Sequence, residues 1–154
     1  MPSLDYNEIY SSFLGNVTDY DFVQMSEIEA YTMMKDWLHS AYSSPYTRRL
    51  FSSFTMDDEI MEFDFTLANS SGDEATDIDF VRELGSKGMV IAWLEPQLKS
   101  KIQMSQFFGG KEQKFYAQSQ HISAIRSVVN DTKSELRRMI CDHGYIYNSY
   151  LSGE

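Results

Sequence analysis

Three histidines are the side chains of this 154-residue chain best suited to metal binding or proton transfer. His39, His121 and His143 lie far apart in the sequence, and none has a second ligand at the spacing that zinc sites use. His39 follows Trp37 and Leu38 in a largely apolar stretch, whereas His143 lies at the end of a predicted helix, where a positive charge is favourable. We therefore expect structural or surface roles for the histidines.

The acidic run Asp57-Asp58-Glu59 could hold a hard cation through its carboxylate oxygens. It lacks the spacing and the central glycine of a calcium loop, so a solvated acidic segment is the better interpretation. The segment Phe107-Phe-Gly-Gly-Lys111 precedes a predicted helix and could face an anion, but it lacks the full spacing of a phosphate loop. Since no Ser, His and Asp are grouped around a nucleophile, the sequence predicts no catalytic residue, no cofactor and no metal site.

The composition predicts one soluble domain, because 42% of the residues are hydrophobic and can build a core. No apolar run approaches the roughly 20 residues that span a bilayer, so we expect no membrane contact. The first residues, Met1 to Glu8, lack the basic and apolar regions of a secretory signal. The single cysteine, Cys141, excludes an internal disulfide, and its neighbours Met139 and Ile140 suggest a small buried hydrophobe.

Charge is distributed unevenly along the chain. Residues 1–80 contain 16 acidic and 3 basic side chains, a net charge of -13, whereas residues 81–154 contain 7 acidic and 10 basic side chains, a net charge of +3. This asymmetry favours head-to-tail electrostatic contact between copies of the chain. The shortage of clustered Lys and Arg argues against sequence-specific DNA binding.

Local patterns predict three helices in the first third of the chain. Ser26-Glu-Ile-Glu29 has the spacing of a capping box and opens a helix that ends before Pro45. Apolar residues from Asp5 to Leu14 recur at helical spacing, and Gly15-Asn16 would end that helix by adopting a positive φ. Pro45 to Phe54 is predicted to be a short helix that its proline starts.

One segment has the alternation of a strand, with apolar side chains at every second position: Met61, Phe63, Phe65 and Leu67. A lone strand cannot satisfy its backbone hydrogen bonds, and the rest of the chain offers no strong second strand. We therefore predict that Met61 to Leu67 pairs between subunits or with a partner protein. The alternative is that this stretch forms a helix or a packed loop.

The middle of the chain predicts a polar loop followed by an interrupted helix. Residues 68–77 have a composition that resists packing, so we expect a mobile loop, with Thr76 or Asp77 capping the next helix. The helical pattern from Ile78 to about Ile102 contains Pro96, which must kink or break it. Two glycines, Gly85 and Gly88, weaken the same helix.

After a hinge at Gly109-Gly110, an apolar seam of helical spacing runs from Phe115 to His143 and stops at Gly144. We interpret it as an amphipathic helix of about thirty residues, roughly 45 Å long, against which the other helices pack. The aromatic tail beyond it carries more apolar area than a polar terminus, and we expect it to dock on another protein rather than fold back. The docking residues are Tyr145, Ile146, Tyr147, Tyr150 and Leu151.

The expected fold class is therefore mainly α: a helical bundle over residues 1–144, with one long C-terminal helix and a short β strand or hairpin insertion. A separate docking tail over residues 145–154 completes the chain.

Three stretches within residues 78–151 share one likeness: Met89-Val-Ile-Ala-Trp-Leu-Glu-Pro-Gln-Leu98, Phe107-Phe-Gly-Gly-Lys-Glu-Gln-Lys-Phe-Tyr116 and Gly144-Tyr-Ile-Tyr-Asn-Ser-Tyr150. They resemble the head-to-tail connector, or adaptor, proteins of tailed-bacteriophage necks. The resemblance implies a small helical protein that forms a twelve-membered ring under the portal, continues the DNA channel and receives the next neck or tail protein. It also implies assembly in the host cytoplasm and a place in the virion neck, with a role in DNA packaging and ejection.

The strand Met61 to Leu67 departs from a minimal helical adaptor and leaves a stopper or tail-completion role open. If the chain is an adaptor, we expect the tail to bind the portal protein and an acidic wall to line the channel, since a like-charged wall keeps passing DNA from sticking. The wall residues are Asp57, Asp58, Glu59, Glu62 and Asp64. The alternative function is a small helical accessory or regulatory protein that binds another protein through the same tail.

Overall fold

The computed structural model describes residues 2–17, 26–107 and 112–147, with side chains at all of these positions except 101–107 and 112–119. The predicted hinge Gly109-Gly110 and the predicted docking residues Tyr150 and Leu151 lie outside the described residues. The described part is mostly helical and contains these elements in chain order: β1 (Ser3–Asp5), α1 (Tyr6–Gly15), α2 (Glu27–Ser43), α3 (Pro45–Arg48), β2 (Phe51–Asp57), β3 (Glu62–Leu67), α4 (Glu74–Phe107) and α5 (Glu112–Ile146).

The predicted helix starts near the N-terminus are confirmed, and the reason is capping. The Asp5 side chain accepts from the backbone N–H of Asn7 at 2.7 Å and begins α1. Ser26 and Glu29 form both hydrogen bonds of the capping box that begins α2. The predicted positive φ at the end of α1 was wrong, because Asn16 has a φ of -96° and its N–H bonds back to the last turn.

The strand that was predicted to pair between subunits pairs inside the chain instead. β3 is the central strand of a three-stranded antiparallel sheet of order β1-β3-β2, so both of its edges are occupied. Three of its predicted apolar residues, Phe63, Phe65 and Leu67, are buried in the domain core. Met61 lies in the turn before β3 with a φ of 57°, rather than in the strand. The interchain pairing was therefore a wrong prediction.

Strand β2, which pairs with β3, lies where the sequence predicts the end of a helix. Of the predicted helix Pro45 to Phe54, only Pro45–Arg48 is helical, and β2 begins at Phe51. The register between β2 and β3 shifts between Phe51 and Ser53, which leaves one extra residue in β2. Because of this irregularity, the rings of Phe51 and Phe54 contact each other, with centroids 5.0 Å apart and an interplanar angle of 54°.

Helix α4, rather than the last helix, is the element against which the others pack, since it contacts α1, α2 and α5. It continues through Pro96, so the predicted break is absent. Its two glycines allow close approach of α2: a Cβ at Gly88 would lie 2.6 Å from the Cβ of Ala41, and a Cβ at Gly85 would lie 2.3 Å from the Tyr42 hydroxyl. These glycines therefore serve helix packing.

The polar loop before α4 is held in place rather than free. The buried carboxylate of Asp77 accepts from the Ser70 hydroxyl at 2.5 Å, and from the backbone N–H and hydroxyl of Ser71 at 3.0 and 2.7 Å. The N-terminus of α4 is capped by Asp73, which accepts from the N–H and hydroxyl of Thr76, so the predicted capping by Thr76 or Asp77 was wrong.

Helix α5 packs one amphipathic face on α4, as its apolar seam predicted, with Ile125, Val129 and His143 buried. The helix does not stop at Gly144 but continues to Ile146. Cys141 is exposed, so its predicted burial was wrong: it lies on the solvent side of the helix.

Candidate interaction surfaces

The first candidate surface is the acidic turn that joins β2 and β3. Its backbone is anchored to α1, because the N–H of Tyr6 donates to the Met61 carbonyl at 2.8 Å. Its side chains are anchored through Asp58, whose Oδ1 accepts from the Tyr6 hydroxyl at 2.7 Å and lies 2.8 Å from Nε2 of His39. The turn is therefore fixed to α1 and α2, while Ile60 at its apex is 64% exposed.

These contacts perturb the titration of both partners. The hydrogen bond from Tyr6 holds the pKa of the Asp58 carboxyl below its ordinary value. The hydrogen bond from His39 and the nearby charge of Lys35 act in the same direction. Burial, together with the Asp58 carboxylate, raises the pKa of the Tyr6 hydroxyl well above its ordinary value. Asp58 is consequently an ionised anchor at neutral pH, and its charge is engaged within its own chain.

The other predicted channel residues, Asp57, Glu59, Glu62 and Asp64, are exposed. Glu62 in the central strand pairs with Asp57 on one side and with Asp5 on the other, so three carboxylate-bearing residues form a row across the sheet. Like charges at directly opposed positions are destabilising. The sheet therefore has an acidic outer edge, the row Asp5, Glu62 and Asp57, at the end next to the turn. The sequence alone did not place Asp5 in this row.

The second candidate surface is the C-terminal end of α5. Tyr145 and Ile146 are 73% and 63% exposed on the last helical turn. Tyr147 is only partly exposed, and its ring lies 4.9 Å from the His143 ring. Tyr147 and Ile146 both line a cavity of about 260 Å³ beside Phe80. Within the described part of the predicted docking tail, Tyr145 and Ile146 are thus the residues presented to solvent.

His143 supports this end of the helix. Its ring stacks on Phe80 at 4.1 Å with an interplanar angle of 11°, and its Nε2 lies 2.8 Å from the carbonyl oxygen of Asn69. Burial raises the pKa of the neighbouring Asp77 carboxyl, but the hydrogen bonds from Ser70 and Ser71 outweigh burial, so the net effect is a lowered pKa. These contacts tie α5 to the loop before α4, which confirms a structural role for His143.

The third candidate surface is a groove of about 320 Å³ between α2, α3, α4 and α5, which the sequence analysis did not predict. Its apolar floor includes Ile91, Leu136 and Ile140, and Tyr46 at its edge is 69% exposed. Lys133 and Arg137 stand on its α5 side, where Lys133 pairs with Glu95. No sequence pattern could reveal this groove, because four separate elements contribute to it.

Two other kinds of site are absent from the described ranges. No group of three or more His, Cys, Asp or Glu side chains in residues 2–17, 26–107 and 112–147 converges as a metal site would require. None of the helices in these ranges combines the length and the apolarity needed to cross a membrane. In comparisons with known proteins, the chain matches no protein-family model, no curated protein and no solved structure.

Proposed function

We propose that this chain is a structural subunit of a tailed-bacteriophage neck. In this proposal it forms a ring that joins the portal to the next neck or tail component and continues the DNA channel. The observation that carries the proposal is the exposed pair Tyr145 and Ile146 at the end of α5. This pair belongs to Gly144-Tyr-Ile-Tyr-Asn-Ser-Tyr150, one of the three stretches that resemble neck proteins.

The pair has the chemistry of an interface anchor. A partner that covers the last turn of α5 would bury the aromatic ring of Tyr145 and the aliphatic side chain of Ile146. The Tyr145 hydroxyl can then stay hydrogen-bonded at the rim of the interface. Anchors of this kind can cost about 2 kcal/mol or more each when they are truncated in an interface. In the neck, the partner that we propose for this end is the portal protein.

The acidic outer edge of the sheet supports the channel part of the proposal. A ring of twelve copies would carry a formal charge of about -120, from -10 for each chain. Carboxylates facing the lumen would repel the DNA phosphates and let the duplex pass without sticking. Glu62 and Asp64, on the solvent face of the central strand, are the residues that we propose for the lumen.

The test is binding of the purified chain to the portal protein encoded with it. Replacing Tyr145 and Ile146 together by Ser should weaken portal binding at least tenfold, because two anchors are lost while the core is untouched. The matched control is Val128→Ser, which changes a 47% exposed apolar residue elsewhere on α5 and should bind normally. Wild-type protein that fails to bind the portal, or a double variant that binds as well as wild type, would contradict the proposal.

The same exposed pair also supports the second candidate, a small accessory protein that binds another protein through its C-terminal end. The two functions differ in stoichiometry. A neck subunit should give a ring of many copies when mixed with the portal, whereas an accessory protein should remain a monomer or dimer. Mass measurement of the protein alone and with the portal separates the two.

A further inference from the structure

Two features of this chain have complementary shape and charge. The first is the hairpin tip, residues 57–61, in which the exposed side chain of Ile60 is flanked by the exposed carboxylates of Asp57 and Glu59. The second is the interhelical groove described above, in which an apolar floor is flanked by Lys133 and Arg137. The exposed Ile60 side chain with its acidic neighbours is therefore complementary to an apolar groove with basic neighbours.

Three of the four charged side chains assigned to these features have no ion pair within the part of the chain that the structure describes. Glu59 forms no ion pair with any residue that the structure describes, and Asp57 accepts only from backbone N–H groups of its own turn, at 3.0 and 3.4 Å. Arg137 is exposed and likewise has no ion pair within the described ranges. The side chain of Lys133 is 39% exposed and forms an ion pair with Glu95, which also lines the groove, so a docked carboxylate would share Lys133 with Glu95.

The tip is preorganised for insertion. Asp58 and the Met61 carbonyl hold it to α1 and α2, and Met61 adopts the left-handed backbone conformation at a φ of 57°. A non-glycine residue in this region is strained and persists only where the surroundings enforce it. Because the turn is already ordered, docking it costs less conformational entropy than docking a free loop.

The tip of one copy faces away from the groove of the same copy. His39, which holds the tip, and the groove residues Ser40 and Ala41 all belong to α2. At 3.6 residues per turn, the two groove residues lie about 100° and 200° around the helix from His39. Tip and groove are therefore on different sides of α2, and a second copy is needed to bring them together.

We propose that the hairpin tip of one copy docks in the interhelical groove of the next copy, with Ile60 on the apolar floor and Asp57 and Glu59 facing Lys133 and Arg137. Each copy gives one surface and receives a different one, and such head-to-tail contacts close into rings when the rotation between copies permits. This contact would join the subunits of the ring proposed above, and only its biological role rests on that proposed function. It assigns Asp57 and Glu59 to the contact between subunits and leaves Glu62 and Asp64 for the lumen.

The size of the groove fits this occupant. A volume of about 320 Å³ is many times the roughly 10–15 Å³ that one water needs on the same measure, so the groove has room for one isoleucine with its adjoining peptide. The pairing of exposed carboxylates with exposed basic groups also predicts dependence on salt, since screening weakens such pairs within a Debye length of about 8 Å at physiological ionic strength.

The experiment uses the purified chain and two charge-reversal variants. The tip variant carries Asp57→Lys and Glu59→Lys, and the groove variant carries Lys133→Glu and Arg137→Glu. Sedimentation velocity at about 100 μM protein in low salt should show that the wild type associates and that each variant associates at least tenfold more weakly. A one-to-one mixture of the two variants should recover the association. Recovery follows because the basic tip then meets the acidic groove, and the acidic tip meets the basic groove.

The control for net charge is Glu74→Lys with Glu83→Lys, two exposed acids outside both surfaces, which should associate like the wild type. Circular dichroism of each variant establishes that it is folded. A wild type that remains monomeric in low salt, variants that associate normally, or a mixture that fails to recover would each overturn the proposed contact. Portal binding of Tyr145 and Ile146 variants is a separate measurement, so the contact can fail while the neck function stands.

Discussion

Replacing Gly88 by alanine should destabilise the protein, although alanine is the better helix former. The added Cβ would lie 2.6 Å from the Cβ and 3.0 Å from the Cα of Ala41, whereas carbon atoms in contact prefer about 3.5–4.0 Å. Since one of these atoms is backbone, α2 and α4 must separate by about 1 Å. Overpacking of this kind costs about 1–3 kcal/mol, against a gain of about 1 kcal/mol in helix propensity.

We expect a net loss of about 1–2 kcal/mol in the free energy of unfolding, measured by urea denaturation with far-ultraviolet circular dichroism. For a chain of this length, that loss corresponds to a melting temperature lowered by about 2–8 °C. The matched control is Gly144→Ala in α5, where nothing lies within 4 Å of the added Cβ. That variant should be as stable as the wild type or more stable by up to about 1 kcal/mol.

A compensating variant tests the contact between Gly88 and Ala41 directly. Adding Ala41→Gly to Gly88→Ala moves the glycine to the opposite helix and removes the closest clash, so the two changes should be coupled by about 1 kcal/mol or more. A Gly88→Ala protein as stable as the wild type would show that α2 and α4 do not approach as the structure indicates. The same conclusion would follow if the two changes were simply additive.

Three further outcomes follow from the core and from the loop before α4. Phe65→Ala should cost about 3–5 kcal/mol in urea unfolding, because the ring is fully buried in the central strand, whereas Asp64→Ala on the solvent face should change stability by less than about 0.5 kcal/mol. Tyr42→Phe should cost about 0.5–1.5 kcal/mol, because the hydroxyl donates to the Val81 carbonyl at 2.7 Å. Asp77→Asn should cost about 2–4 kcal/mol near neutral pH, since an amide cannot accept from all three donors. Because the folded pKa of Asp77 is lowered, its contribution is present above the ordinary value of 3.8 and is lost as pH falls through the folded pKa, so the wild-type advantage over Asp77→Asn should shrink in acid unfolding measurements.

Features that depend on neighbouring residues in the chain could be predicted from the sequence. The capping box at Ser26, the helix that follows Asp5, and the period of two from Phe63 to Leu67 are all local patterns, and each is present in the structure. The seam of α5 was predictable for the same reason, since helical spacing alone places Ile125 and Val129 on one face.

Strand β2 escaped prediction because its local pattern is misleading. Phe51 and Phe54 are three residues apart, which is the spacing of one helical face, and the irregularity beside Ser53 brings both rings together in an extended strand. Without β2 and the three-residue β1, the predicted strand β3 had no pairing strand within the chain. The error in pairing therefore came from missing two short strands.

The sequence by itself determined the helical class, the caps, the apolar faces and the uneven charge, because these depend on residue type and spacing along one element. Only the tertiary structure decided which elements meet: that Gly88 lies against Ala41, and that Asp58 lies between Tyr6 and His39. It also decided that Cys141 faces solvent and that four elements enclose a groove. The physical reason is that packing and hydrogen bonding join residues far apart in the chain, and no local period records which surfaces are brought together.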